Sequence, residues 1–131
     1  MTHHPVVLRA TDVAGDVRRA ADSTERARTL PPDIVSTLSD AGLFAMLVPE
    51  DVGGEGADLL SAMEAMEIIS RADGSTGWSL MANATSGLMT AAHCGERAVE
   101  AIFGASQGRA IIAGMLGLGG TCTPSDGRRG Q

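Results

Sequence analysis

The sequence predicts an all-α domain, a bundle of about five helices that ends by entering a β-strand. Apolar residues recur at helical spacing through most of the 131 residues. Aromatic residues make up only 2% of the chain, so the core must be aliphatic. Of the 17 glycines, nearly half follow residue 103, where a short apolar run bounded by glycines is typical of a strand.

The first predicted helix runs from Ala10 to Arg28, where acids and arginines alternate around one apolar face. Pro31 and Pro32 interrupt the chain because neither residue can donate a backbone hydrogen bond. Proline is tolerated in a first helical turn, so a second helix can start there and end at Gly42. Its predicted buried positions are Ile34, Val35, Leu38 and Ala41.

A proline and three glycines predict a loop from Pro49 to Gly56. The third helix, Leu59 to Arg71, has one narrow polar stripe, which indicates packing on most sides. The fourth helix, about Thr76 to His93, contains no Asp, Glu, Lys or Arg and is predicted to be buried. A short fifth helix opens at Gly95, and the predicted strand spans Ala110 to Leu116.

Charge and hydropathy exclude several classes of function. The net charge of −6 argues against nucleic acid as a partner, since phosphate binding needs a positive surface. The stretch between Asp73 and Glu96 is long enough to cross a bilayer, but its many hydroxyl and amide groups predict a soluble helix and no membrane span. Cys94 and Cys122 form no disulfide framework, so we expect a cytoplasmic protein.

The fourth helix carries the candidate binding site. Four uncharged polar residues at spacings of 4, 3 and 4 share one face of this otherwise apolar helix. On one interpretation they line a substrate cavity and orient a polar part of the ligand. On the other, that face packs against a neighbouring helix and the hydroxyls bond to carbonyls one turn earlier. The four candidates are Ser79, Asn83, Ser86 and Thr90.

We identify no catalytic residue and no metal site. His93 and Cys94 are adjacent on a helix and diverge by about 100°, so they rarely share a metal ion. Glu64 and Glu67 belong to the polar stripe of the third helix, and solvation explains them better than acid–base work. No nucleophile–His–acid arrangement is present in the sequence.

Several sequence motifs follow one another in a fixed order. The first is RTLPPDIVSTLSDAGLFAMLVPEDVGGEG, followed by a helix that ends in RADGSTGWSLM. Together they resemble the N-terminal helical domain of the acyl-CoA dehydrogenase superfamily. HCGERAVEAIFG resembles the family's next short helix, and AIIAGMLG resembles its entry into the middle β domain. The resemblance covers about residues 8–120. It divides the chain into an N-terminal tail (1–9), the helical domain (10–108), and the first strand of an otherwise absent β domain with a truncated or unpacked tail (109–131).

The resemblance implies a flavin cofactor, FAD or alternatively FMN, and a small-molecule substrate, an acyl-CoA thioester. The GSTGW segment is also similar to a branch of flavin-dependent monooxygenases that hydroxylate aromatic or steroid-derived rings. In that branch a histidine often stands near the position that Ser86 occupies here. This sequence has no histidine at that position.

The family's catalytic glutamate base lies in a C-terminal bundle that has no match here. We therefore expect a piece of a flavoenzyme that is inactive alone, binds flavin weakly if at all, and forms homo-oligomers or associates through uncovered apolar faces. The remaining alternative is a catalytically inert helical module that binds a partner protein.

Overall fold

A computed structural model describes residues 3–114, 117, 119–121 and 123, and confirms the all-α prediction. No β-strand is present among these residues. A 3-10 turn over Glu50–Val52 lies in the predicted loop, and a π-helical turn over Glu100–Gly104 extends the last helix. The five α-helices are α1 (Pro5–Ala27), α2 (Pro32–Asp40), α3 (Leu59–Ala72), α4 (Gly74–His93) and α5 (Glu96–Val99).

Helix α1 begins at Pro5 and not at Ala10, where the sequence pattern predicted its start. Pro5 occupies the first helical turn, where its missing N–H costs no hydrogen bond. The His4 Nδ1 atom accepts a hydrogen bond from the backbone N–H of Val6 at 3.3 Å. Val6 and Val7 are buried with Ala10, so this first turn belongs to the core.

The main core is aliphatic, as predicted, and lies between α1, α3 and α4, with α2 packed at one side. Phe44 is the aromatic residue in this cluster. Shielding such side chains from water is the largest favourable contribution to folding. The fully buried members include Val6, Val17, Leu38, Leu43, Met46, Ile69 and Leu80.

A smaller second cluster joins the loop after α2 to the C-terminal helix. Its buried residues are Ala45, Val48, Val99 and Phe103. The loop folds back on itself, since the Glu55 N–H donates to the Ala45 carbonyl oxygen at 3.1 Å. This second cluster fixes the position of α5 although α5 has only one helical turn.

The predicted strand from Ala110 to Leu116 is wrong for the residues that the structure describes. Residues 110–114 form no ladder, and residues 115 and 116 lie outside the described part. A strand needs a neighbouring strand to pair with, and none lies among the described residues. Ala110 and Ile112 instead pack against the second cluster.

None of the described helices combines the length and apolarity needed to cross a membrane. Helix α4 contains no Asp, Glu, Lys or Arg, but hydroxyl and amide side chains occur along its length.

Candidate functional site

A one-residue corner sets the direction of α4. Asp73 ends α3 and caps α4, and its Oδ2 atom accepts hydrogen bonds from the Thr76 N–H at 2.8 Å and the Thr76 hydroxyl at 2.7 Å. The backbone N–H of Asp73 donates to the Ile69 carbonyl oxygen at 3.0 Å. The carboxylate satisfies N–H groups that have no partner inside the helix, so the corner stays tight.

The inner face of α4 carries mostly small residues and approaches its neighbours closely. At Gly77 an added Cβ atom would lie 2.0 Å from the Ser70 hydroxyl oxygen of α3. At Gly87 it would lie 3.3 Å from the Cγ2 atom of Val48. The absence of side chains at these two positions therefore allows α4 to pack against α3 and the loop.

The four predicted site residues form a row along one flank of α4, where each is half-exposed. The Ser79 hydroxyl donates to the Ser75 carbonyl oxygen at 3.0 Å, and the Asn83 amide donates to the Ser79 carbonyl oxygen at 2.7 Å. The Ser86 hydroxyl donates to the Ala82 carbonyl oxygen at 2.8 Å. These hydrogen bonds to carbonyl oxygens one turn earlier are the ones expected if the row packs against a neighbouring helix. The row itself, however, is not buried against a helix.

The surroundings of the row differ from one end to the other. Ser79 and Ser75 line a surface cavity of about 300 Å³ together with the end of α1 and the start of the α1–α2 connection. Ser86 instead faces Gly114, where an added Cβ atom would lie 2.2 Å from the Ser86 hydroxyl oxygen. The structure thus brings the four residues onto one surface but not into one shared cavity.

Large apolar side chains are exposed on the outer side of α3 and α4. This corrects the prediction that α3 is packed on most sides and that α4 is buried all round. Trp78 is 71% exposed, and Met89 lies about three turns further along the same side of α4. On α3 the exposed residues are Leu59, Leu60 and Met63, at 65%, 72% and 57%. We call these five side chains the outer apolar surface.

The sequence pattern did not separate the two sides of these helices. Apart from its row of uncharged polar residues, helix α4 has apolar residues on its other sides, and such a pattern is also typical of a buried helix. Only the size of the residues differed between the sides, with glycine and alanine inside and Trp78 outside.

The remaining polar candidates are in ordinary surface settings. Glu67 accepts a hydrogen bond from Arg71, and Glu64 lies 3.2 Å from His3. His93 and Cys94 are exposed, and the described part of the chain holds no group of three metal-ligating side chains. Hydrogen bonds from the Ser61 hydroxyl and backbone lower the pKa of Asp58 at the start of α3.

Comparison with known proteins identifies the fold. Residues 10–103 match the profile described as acyl-CoA dehydrogenase, N-terminal domain. The chain belongs to this family. The match begins in α1 and ends at Phe103, so it includes all of α2, α3, α4 and α5. No solved structure matches the chain.

Relatives of this acyl-CoA dehydrogenase N-terminal domain include oxygenase components of flavin-dependent enzymes and a probable acyl-CoA dehydrogenase. The chain is 40% identical over 62 residues to the oxygenase subunit of a flavin-dependent monooxygenase from Rhodococcus jostii, covering 47% of this chain and 16% of that protein. It is 36% identical over 76 residues to the oxygenase component of a FADH(2)-dependent resorcinol hydroxylase from Rhizobium sp., covering 58% and 19%. It is 41% identical over 56 residues to a probable acyl-CoA dehydrogenase from Mycobacterium leprae, covering 43% and 14%. The chain therefore spans less than a fifth of the length of these relatives.

Proposed function

We propose that this domain forms one wall of the flavin and substrate chamber of an acyl-CoA dehydrogenase-like oxidoreductase. The observations that carry the proposal are the exposed side chains of the outer apolar surface and the partly buried polar row of α4. The wall would present apolar side chains to the organic part of a ligand and hydroxyl or amide groups to its polar part. Such a combination is typical of small-molecule sites.

Burial energetics support a covered surface in the complete enzyme. Fully burying one Leu or Met side chain contributes about 1.5–3 kcal/mol. The outer apolar surface has five large side chains that are each more than half exposed, and no described residue covers them. Their cover would come from the ligand, from further domains, or from a second copy of the chain. We expect self-association through this surface when the chain is isolated.

The residues fit the ring and acyl portions of the ligands better than their phosphates. Helix α4 has no arginine or lysine, and Arg71 at the end of α3 is paired with Glu67. FAD, or alternatively FMN, would therefore rest its uncharged ring near this wall and have its phosphates held elsewhere. When bound, the flavin supplies the redox chemistry. This division explains why we expect weak flavin binding by the chain alone.

The substrate that we propose is an acyl-CoA thioester. The second amide N–H of Asn83 could donate to a ligand carbonyl oxygen, and the Ser79 hydroxyl, whose proton goes to the Ser75 carbonyl oxygen, could accept from a ligand N–H. No described residue is proposed as the catalytic base, since Glu64 and Glu67 already have His3 and Arg71 as partners. We further expect a reducing compartment, the cytoplasm, in agreement with the free and exposed thiol of Cys94.

The second candidate is the oxygenase component of a two-component flavin-dependent monooxygenase. The names of the Rhodococcus and Rhizobium relatives favour it. In that case the same wall would face an aromatic or steroid-derived ring. Ser86 would then stand where the branch often has a histidine, so the hydroxyl of the substrate would need another partner.

The experiment is to express the complete reading frame that encodes these residues and to assay it in two ways. Acyl-CoA oxidation with an artificial electron acceptor supports the first candidate. Turnover of a phenol with reduced flavin and oxygen supports the second. A purified protein that binds no flavin and shows neither activity contradicts both and favours the inert interaction module.

A further inference from the structure

The chain leaves α5 through a contact between two glycines. Gly108 has a φ of +74°, and an added Cβ atom there would lie 1.7 Å from the Gly53 carbonyl oxygen. Gly53 itself has a φ of +93°. The Gly108 N–H donates to the Phe103 carbonyl oxygen at 2.8 Å, which fixes the turn. Only glycine combines this backbone shape with this closeness.

After this turn the chain runs along the second cluster in an alternating manner. Ala110 and Ile112 pack against the cluster, whereas Ile111 between them is 41% exposed. The path then reaches the flank of α4 at residue 114. We call residues 110–114 the exit segment.

The exit segment meets α4 at Gly114. An added Cβ atom would lie 2.2 Å from the Ser86 hydroxyl oxygen and 3.1 Å from the Ser86 Cβ atom. Ordinary contact between such atoms is about 3.5–4.0 Å. The Ser86 hydroxyl donates to the Ala82 carbonyl oxygen at 2.8 Å, so turning it away would break a hydrogen bond.

We propose that Gly114 is a positioning residue that seats the exit segment against Ser86 and thereby sets the direction in which the chain leaves the helical domain. The contact is possible because Gly114 has no side chain and Ser86 has only a hydroxymethyl group. A methyl group at residue 114 would push the exit segment away from α4 by about 1 Å or more.

The contact between Gly114 and Ser86 also divides the polar row of α4 into two parts. This consequence rests on the proposed function. Ser86 lies against Gly114 of the exit segment, so contact with a ligand at the start of α4 falls to Ser79 and Asn83. The cavity that Ser79 lines lies at the start of α4, about two helical turns before Ser86.

Limited digestion with trypsin tests the contact between Gly114 and Ser86 without any ligand. The chain contains no lysine, and between Arg97 and Arg128 the only arginine is Arg109, directly before the exit segment. Cleavage after Arg109 therefore reports release of the segment. Cleavage after Arg71, at the end of α3, reports opening of the helical bundle.

We expect Gly114→Val to speed cleavage after Arg109 about tenfold and to leave cleavage after Arg71 unchanged. The matched control is Gly120→Val, where an added Cβ atom meets no atom of the described residues within 4 Å. In a double-mutant cycle, Gly114→Ala should have a smaller effect when Ser86 is replaced by glycine, because the opposing atoms are gone.

Equal cleavage after Arg109 in the Gly114→Val and Gly120→Val variants would overturn the proposal. So would an undiminished effect of Gly114→Ala in the Ser86→Gly background, or a parallel rise of cleavage after Arg71. Because digestion needs neither flavin nor substrate, these outcomes are independent of the proposed function.

Discussion

The two sides of α4 differ in the size of the side chains that they carry. The inner side is built from Gly77, Ala84 and Gly87 with Leu80 as its one large residue, and all four are buried. The outer side carries Trp78 and Met89, both more than half exposed. In a helix that serves only its own core, the larger apolar residues are expected inside.

This difference separates two physical tasks. Small inner residues allow α4 to approach Ser70 of α3 and Val48 of the loop within contact distance. Large outer residues contribute little to the stability of the isolated domain, because water still surrounds them. We infer that the inner side makes the fold and that the outer side is kept for contact with something beyond the described residues.

The largest expected effect is at Leu80, which is fully buried. Leu80→Ala should lower the free energy of unfolding by about 2–5 kcal/mol, because it leaves a cavity in the main core. The control is Met89→Ala on the outer side, for which we expect a change within about 0.5 kcal/mol. Urea unfolding followed by circular dichroism measures both. A similar loss in the two variants would erase the distinction between the sides.

Close packing at Gly77 should give the next largest effect. Gly77→Val should cost about 1–3 kcal/mol, since its side chain would meet Ser70 and push α3 and α4 apart. Gly74→Val is the matched control in the same first turn, where an added Cβ atom meets nothing within 4 Å. If both variants unfold at the same urea concentration, the helix–helix contact at Gly77 does not carry the predicted strain.

The corner at Asp73 should have an intermediate effect. Asp73→Ala removes the acceptor for the Thr76 N–H and hydroxyl and should cost about 1 kcal/mol. Asp73→Asn keeps an oxygen acceptor and should retain most of the stability. An asparagine variant as unstable as the alanine variant would show that the side-chain cap is not what holds the corner.

The smallest effect concerns Asp58, whose folded-state pKa is lowered by its hydrogen bonds from Ser61. A lowered pKa means that the carboxylate stabilises the fold at pH values above its unfolded pKa. The contribution is lost as the pH falls through the folded pKa. Because Asp58 is exposed, we expect only a slight acid-dependent difference between the wild type and Asp58→Asn, measured as thermal unfolding from pH 6 to pH 3. If the wild type and Asp58→Asn show the same pH dependence, the hydrogen bonds from Ser61 do not stabilise the Asp58 carboxylate as described.

Much of this fold follows from sequence pattern, with particular exceptions. Pro32 is the first residue of α2 and Gly42 follows the end of that helix, as the local chemistry of proline and glycine predicts. The start of α1 was missed because Val6 and Val7 show no amphipathic pattern of their own and become buried only as part of the tertiary core. The strand predicted from Ala110 is not present among the described residues. A strand must pair with a partner that can be distant in the sequence, and a local pattern cannot show whether that partner exists.

The sequence predicted that the four candidate residues share one flank of a helix, but it did not predict what surrounds them. The spacing of Ser79, Asn83, Ser86 and Thr90 correctly predicted a shared flank of α4. Nothing in that spacing could show that Gly114 lies against Ser86, because this contact depends on the path of the chain after α5. The role of the flank in binding a ligand stays a prediction.

The most direct test of the ligand-facing flank is the substrate dissociation constant of Asn83→Leu, measured on the protein from the complete reading frame beside its free energy of unfolding. Leucine matches the size of asparagine and removes its polar group from a half-exposed position. We predict about tenfold weaker substrate binding, equal to about 1.4 kcal/mol, with a change in stability below about 0.5 kcal/mol. Unchanged substrate binding together with a clear loss of stability would contradict the account and identify the row as ordinary helix packing.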